Sequence, residues 1–525
     1  MEAPTKGTFR LAGREFPEVT WYTDPALRRT YLCLALVVMT SATNGYDGSI
    51  VNALQSMTTW NDYFNDPHGS LLGLFACIMS VGSLVAIPAV PYVADILGRR
   101  WGIIIGCLIM ILGVILQSAA ANFSMFIAAR FFLGFGIAIA HGSSPLLITE
   151  LVHPQHRATF TTIYNTTWYI GSFFAAWVCF GTSHVNSNWA WRIPSILQGL
   201  PSLIQLTFVW FVPESPRWLI AKGRTEEAHQ VLAKVHANGD MDDEIVTLEL
   251  QEIKDTIKLE QEFEGNGWLT LIKSKGNRRR LLILLSLGLF SQWSGNGIAS
   301  YYFSKVLNGV GITAQSTQLV INGCLQILNI IIAVGQAFVV DYFGRRTLFL
   351  TATTGMFFTF IVWTTGAGEY VENNVAPAGN LVVACVFIYY IFYNMAWSGL
   401  LVGYAAEILP YSIRAKGLTV MFLMVDIALF FNQYVNPIAL ENIAWKYYIV
   451  YCVWLLIELG VVYFFFIETR YTPLEEIAKH FDGEDAVVGG AVATEHSKEL
   501  AAEIGGLDTV NMEEKRASTV EQREL

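Results

Sequence analysis

Asp95-Ile96-Leu97-Gly98-Arg99-Arg100 is a short polar island between two long apolar runs, and it recurs as Asp341-Tyr342-Phe343-Gly344-Arg345-Arg346 in the same setting. A second signature follows each copy. Glu150 has Arg157 seven positions on with Pro154 between; Glu407 has Arg414 seven positions on with Pro410 between. The two signatures recur at shifts of 246 and 257 residues. Unrelated signatures repeating in one order at nearly one shift indicate an ancestral half used twice, so function belongs where the halves meet.

The 525 residues are 53% hydrophobic and only 14% charged, with mean hydropathy +0.43, whereas soluble domains carry about 25% charge. A bilayer, not water, accepts this much apolar surface. Runs of about 20 apolar residues read as transmembrane helices. Twelve are predicted, near 30–50, 70–93, 101–119, 125–148, 159–181, 190–212, 281–301, 317–340, 347–367, 380–405, 417–438 and 446–467. Lys and Arg in short loops set orientation. Arg28, Arg29, Arg99, Arg100, Arg157, Arg217, Arg345, Arg346, Arg414 and Lys416 fall on one side, against little beyond Lys305 on the other. That side and both termini are therefore predicted to be cytoplasmic.

The expected fold is all-α: two six-helix bundles at 30–212 and 280–468, a cytoplasmic arm at 1–29 and a cytoplasmic helical linker at 213–279. A cytoplasmic tail at 469–525 is expected to be largely disordered from its composition. The net charge of −10 lies largely in linker and tail, and nothing points to nucleic acid. The seven cysteines sit inside apolar spans with neither disulfide nor metal spacing, and read as buried structural residues. The first 29 residues lack a signal-peptide core. The sequon Asn122-Phe123-Ser124 falls in a very short outer loop. No nucleophile, metal cluster or phosphate loop suggests an enzyme or a cofactor.

Charges inside spans are costly and usually functional. Asp47 lies about 25 Å above the inner start of its span and Arg130 about 8 Å below the outer start of its own, at 1.5 Å per residue. In a core of about 30 Å the depths nearly coincide, so the two are expected to pair. The pairing reads either as fixed packing or as a proton switch, in which a proton on Asp47 frees Arg130. Asn322, Gln326, Asn329 and Gln336 share one face of span eight, where amides suit an array of hydroxyls or bond neighbouring helices. Gln292 and Asn296, and Asn432 and Asn436, sit one turn apart on spans seven and eleven. Trp168, Trp293, Tyr301, Tyr302 and Trp397 are candidate faces for stacking on the C–H faces of a ligand, or for core packing. His141 shares a face with Arg130 and reads chiefly as a satisfied interior histidine. Asp426 and Glu458 are acids at mid-membrane depth without an assigned partner.

Together these motifs resemble the sugar porters of the major facilitator superfamily. The resemblance rests on the two Asp-x-x-Gly-Arg-Arg copies, Arg130-Phe131, Pro145 with Glu150, Pro213-Glu214-Ser215-Pro216-Arg217, and Glu468-Thr469-Arg470 with Leu474-Glu475-Glu476, and covers about residues 30–478. Gln292 to Gly297 and Asn432 to Pro437 look like the fungal lactose and cellobiose permease branch. The resemblance implies alternating access across a plasma membrane by a monomer, with a sugar and a proton as partners beside membrane lipid. It implies proton coupling by Asp47 and Arg130 and substrate contacts from Asn165, Gln326, Asn329 and their neighbours. It also implies cytoplasmic gate clusters: Asp95, Arg99, Glu150, Arg157, Glu214 and Arg217 in one half, Asp341, Arg345, Glu407, Arg414, Glu468 and Arg470 in the other. This chain departs from the family at Ser291, Asn165, Leu147, Val402, Gly297 and Ile467. Val402 and Gly297 remove bulk, which predicts an enlarged site preferring a β-linked disaccharide. A facilitator of hexose or polyol, and a sensor that does not transport, remain alternatives.

Overall fold

A computed structural model describes residues 8–11, 14–263, 268–470 and Ile477, His480 and Phe481; the tail beyond these lies outside the described residues. The first half holds α1 (Pro25–Gln55), α2 (Gly69–Ala86), α3 (Arg99–Ser118), α4 (Phe123–Leu151), α5 (Arg157–Thr182), α6 (Trp189–Leu197) and α7 (Leu200–Phe208). The linker contributes α8 (Thr225–His236) and α9 (Glu244–Phe263). The second half holds α10 (Lys275–Trp293), α11 (Asn296–Tyr301), α12 (Gln315–Phe343), α13 (Arg345–Asn373), α14 (Ala376–Ala396), α15 (Leu401–Ile408), α16 (Tyr411–Ile443) and α17 (Tyr447–Phe465).

Among the described residues nine segments are long and apolar enough to cross a membrane, one of which, Lys416–Phe465, contains both α16 and α17. Helices α1 and α5 are 31 and 26 residues long, but hydroxyls, amides and Asp47 interrupt their apolar runs. The buried apolar residues divide as the duplication requires. One core runs from Leu27 to Val212 and takes in Val235 of the linker, and another runs from Leu271 to Phe481; neither draws residues from the opposite half. A third core, with Tyr46, Trp60, Phe75, Phe126 and Trp191, takes in Tyr302 and Leu319 of the second half and joins the two.

The repeated polar islands fold alike. Gly98 (φ 112°) and Gly344 (φ 81°) adopt backbone angles that side chains disfavour. A Cβ at Gly98 would lie 2.5 Å from a Glu214 carboxylate oxygen, and one at Gly344 2.6 Å from a Glu468 oxygen. Each island is thus a turn that brings backbone N–H groups against a glutamate from the end of its own half.

Several predicted spans are broken. The seventh stops at Ser294, and Gly295 (φ 103°) starts α11 at a new angle. The tenth is interrupted between α14 and α15, and the second loses regularity after Ala86, just before Pro88. Lipid cannot bond the backbone groups that such breaks free, so neighbouring helices must.

The arm expected at 1–29 is more ordered than its polarity suggests. β1 (Thr8–Leu11) and β2 (Arg14–Pro17) pair as an antiparallel hairpin with Phe9 opposite Phe16, and α1 already begins at Pro25, capped by Asp24. The two phenylalanines pack against Ile245 and Leu248 of α9, and Arg14 pairs with Glu244 at 2.8 Å. The linker helices form a small apolar core of their own through Leu219, Leu232, Val246 and Leu250. All seven cysteines are free, and Cys324 is exposed, contrary to the expectation of burial. Asn122 caps α4, its Oδ1 accepting the Met125 N–H at 2.8 Å.

Candidate functional site

Asp47 and Arg130 are both buried, at 0% and 1% exposure. They do not form the direct pair expected from their depths. Neither carboxylate oxygen of Asp47 has a hydrogen-bond partner, nor do Nε and Nη1 of Arg130. Arg130 instead points Nη2 at the Met79 sulfur at 3.5 Å and lies 5.1 Å from the Phe75 ring centre. Depth alone does not fix the angular placement of two side chains on different helices, and α2 supplies a soft apolar seat that competes for the guanidinium. The two charges still act on one another, and the side chain of Gln198 also bears on Asp47.

Three of the four amides of the span-eight stripe, Asn322, Gln326 and Asn329, are linked along one face. Gln326 Nε2 donates to Asn322 Oδ1 at 3.4 Å, and Asn329 Nδ2 to Gln326 Oε1 at 3.4 Å. Both ends of the stripe reach the first half. Asn52 Nδ2 of α1 donates to Asn322 at 3.3 Å. Asn394 Nδ2 of α14 donates to Asn329 at 2.8 Å, and Tyr169 of α5 donates to Asn394 at 2.6 Å. The chain of contacts from α1 through α12 and α14 to α5 crosses between the halves twice. Asn322 Nδ2 and Asn296 Oδ1 remain buried without partners, so an unused donor and an unused acceptor are available to hydroxyl groups. Gln336 leaves the linked face and packs on Gly399.

The polar residues of spans seven and eleven interlock. Asn296 Nδ2 donates to the Tyr393 hydroxyl at 3.1 Å. Asn432 Nδ2 donates to the Gln292 carbonyl at 2.5 Å and its Oδ1 accepts from Asn436 at 2.6 Å. Asn165 is exposed and Gln292, Trp168 and Tyr301 are half-buried. Trp293 packs on Phe431 and Trp454, and the Tyr302 hydroxyl donates to the Gln433 carbonyl. Trp397 is removed from the candidate set: it is buried against Phe290 and Phe349 with Nε1 donating to Thr353 at 3.2 Å. The enlarged-site expectation also fails at Gly297, because the Asn432 side chain fills the vacated space, 2.2 Å from where a Cβ would stand. His141 is satisfied, as expected, by the Tyr164 hydroxyl at 2.6 Å.

Sequence reasoning missed Asn52, Gln55, Tyr169, Tyr393 and Asn394. The run Tyr389-Tyr390-x-x-Tyr393-Asn394 in an otherwise apolar span was the available signal. Asn52 and Gln55 lie one to two turns beyond Asp47 and join the halves at the end of α1 away from the Arg-rich islands. Asn52 Oδ1 accepts from Ser304 N at 3.3 Å, Gln55 Nε2 donates to the Tyr301 carbonyl at 2.8 Å, and Thr58 Oγ1 donates to Gln315 at 3.1 Å.

The charged clusters expected around the two islands form within each half. Arg99 pairs with Asp95 and Glu150, each at 3.2 Å. Glu214 accepts from the backbone N–H groups of Arg99, Arg100 and Ser215; burial nonetheless keeps its carboxyl above the usual range. In the second half Arg345 pairs with Glu407 at 3.1 Å, and Glu468 accepts from the N–H groups of Arg345, Arg346, Thr469 and Arg470. Arg414 donates to the Leu409 carbonyl at 3.3 Å. Arg217 is half-buried, and the side chain of Asp341 lies outside the described residues.

Arg157 departs from its expected cluster and pairs with Glu249 of the linker helix α9. Glu249 is 1% exposed and also meets His236 Nδ1 at 2.7 Å, while His236 Nε2 meets the Leu151 carbonyl at 3.2 Å. Burial works to raise the Glu249 carboxyl, but His236, Arg157 and His153 outweigh it and hold it below the usual range. His153, packed against Phe9 and His236, is pushed down to about 4, first by burial and then by His236.

Two similar helical halves meeting at a polar, incompletely satisfied seam within an apolar shell define a membrane transporter. The chain belongs to the family described as "Sugar (and other) transporter", whose model matches residues 33–481. It is 27% identical over 478 residues to a high-affinity glucose transporter of Kluyveromyces lactis, covering 88% of this chain and 86% of that one. It is 25% identical over 481 residues to a quinate permease of Emericella nidulans, with 86% and 89% covered. The fold matches the proton:xylose symporter XylE bound to 6-bromo-6-deoxy-D-glucose, with TM-score 0.70, 22% identity and 86% and 99% covered. It also matches the inward-open xylose transporter XylE from E. coli, with TM-score 0.72, 21% identity and 86% and 100% covered. These relatives are transporters, and so is this chain; it is not an enzyme.

Proposed function

We propose that this chain is a proton-coupled sugar importer of the plasma membrane working by alternating access. Helices α1 and α5 and the separate counting of α16 and α17 raise the nine apolar segments to twelve spans, with both termini cytoplasmic and the protein acting as a monomer. Asp47 and Arg130 carry the proton coupling. The polar groups of Gln292, Asn296, Gln326, Asn329 and Asn432, with Asn165, Trp168 and Tyr301, bind the sugar. The observation that carries this reading is the separated Asp47–Arg130 pair. Two opposite charges buried in the first half, each with unused hydrogen-bonding atoms, suit a site that exchanges a proton for an ion pair. The closure at the C-terminal end of α1, the outer side on this reading, fits the cytoplasm-facing stage of such a cycle.

With Gly297 filled by Asn432, a single sugar ring is the substrate we favour over the disaccharide expected from the sequence. The names of the relatives point to glucose, xylose and quinate. Purified protein in liposomes, given glucose, xylose, lactose, cellobiose and quinate in turn with a pH dye inside, tests both points. Sugar-driven proton entry for a monosaccharide is the expected result. Uptake without proton movement makes the chain a facilitator, and no uptake of any of the five rejects the assignment.

A further inference from the structure

Glu458 of α17 is fully buried, and among the described residues its one hydrogen-bond partner is Ser294, the residue at which the seventh span breaks. Ser294 Oγ lies 3.1 and 2.9 Å from the two carboxyl oxygens. The same Oγ makes a tighter contact with the Phe290 carbonyl one turn earlier. A serine has a single hydroxyl hydrogen. Placed on the Phe290 carbonyl, it leaves the Ser294–Glu458 contact short of a hydrogen unless the carboxyl supplies one.

No other group supplies it. Among the described residues no Lys, Arg or His pairs with Glu458. Tyr389 and Tyr393 of α14 face it, but their hydroxyls donate to the Ser294 and Ser291 carbonyls, at 3.0 and 2.7 Å. Helix α13 has no titratable residue between Leu348 and Gly368, and α10 has none from Leu281 to its end. On α16, no hydrogen bond or ion pair joins Asp426 to Glu458 among the described residues, and Tyr434 packs on α2 at Gly73. On α17 itself, Tyr451 is turned to Asn432 and Asn436, and Cys452 to Thr364.

The break itself is held by side chains. The carbonyls of Ser291, Gln292, Ser294 and Asn296 accept from Tyr393, Asn432, Tyr389 and Tyr390. Beyond it, α11 carries the Tyr301 carbonyl that Gln55 closes on. What fixes the angle at Ser294 therefore fixes the outer seal.

We propose that Glu458 is a protonated carboxylic acid whose hydrogen goes to Ser294 Oγ, a positioning residue that holds the bent seventh span and, through α11, the closed outer side. Its kinetic readout rests on the transport function proposed above; its spectroscopic readout does not.

Infrared spectra of the purified protein and of Glu458→Gln are subtracted to isolate the carbonyl band of a protonated acid. Glutamine keeps the shape and still donates to Ser294. The band is expected to be lost in Glu458→Gln, shifted in Ser294→Ala, which removes the acceptor, and retained in Asp47→Asn. Sugar counterflow of the wild type is expected to fall at alkaline pH as the hydrogen is lost to solvent, and Glu458→Gln to flatten that limb. An unchanged band in Glu458→Gln overturns the proposal, and so does an alkaline limb identical to the wild type's. If the wild type shows no counterflow of any sugar, the transport reading fails while the infrared result still decides the state of Glu458.

Discussion

At the scale of single residues, Asp47 is the sharpest test of coupling. Asn in its place mimics the protonated acid permanently. Asp47→Asn is expected to abolish accumulation against a gradient while leaving sugar counterflow, and pH-driven uptake at the wild-type level would refute the proton role. Asn329 tests the seam. Truncation to Ala removes its bonds to Gln326 and Asn394, each with a net worth of about 1 kcal/mol. The half-saturation constant should rise severalfold at unchanged surface abundance; unchanged kinetics would reduce the stripe to helix packing. The sequence displayed these residues because buried charge and amide are rare in apolar spans. It did not display their angles, so Asp47 and Arg130 were placed at one depth yet do not touch. Nor did it show that Asn432 fills the space at Gly297. Both facts depend on which way a side chain turns between helices, and residue spacing carries no such information.

At the scale of elements, the linker is bound to the first half by a buried acid. Breaking one partner out of a buried pair typically costs 3–5 kcal/mol, because a charge is left uncompensated. Glu249→Ala is expected to approach the lower end, since Arg157 keeps some access to water, and to expose α9 to limited proteolysis. Undiminished melting temperature and protease resistance would show that the linker is held elsewhere. His153 gives this junction a pH dependence. Its folded value of about 4 lies below the 6.5 of an ordinary imidazole, so between those values the unfolded chain binds the proton and the folded one does not. Stability should therefore fall as pH drops from 6.5 towards 4, by on the order of 3 kcal/mol for the full shift. His153→Phe, which retains the aromatic packing on Phe9, should lessen that slope in melting curves recorded across the window. The repeated islands were legible as charged clusters, and Glu249 was not. Its partner Arg157 is 92 positions away in sequence, and nothing in a charged amphipathic helix marks which acid is buried.

For the whole molecule, the closure at the C-terminal end of α1 is, on the transport reading proposed above, one end of a cycle. Gly73 on α2 faces α16, where a Cβ would stand 2.7 Å from the Tyr434 carbonyl. Backbone at that distance cannot swing aside as a side chain can, so Gly73→Trp is incompatible with this closure. The variant should bind sugar from outside yet fail to release it inside. Transport at the wild-type rate would mean that α2 and α16 do not approach during turnover. The duplication and the segregation of two cores were readable from repeat spacing. The joining core around Trp60 and Tyr302 was not, because it assembles from residues that belong to neither repeat signature.

The hairpin at the N-terminus also sets an order of events during biosynthesis. Arg14 is made 230 residues before its partner Glu244. At 5–20 residues per second the ribosome needs roughly ten to fifty seconds to cover that distance. Throughout that interval Phe9 and Phe16 have no helix to rest on, while the first helices are already entering the bilayer. Docking of the hairpin is therefore a late checkpoint on the first half, reached only once the linker has emerged. A bulky fusion before Thr8 is expected to leave membrane insertion intact and to delay that final step.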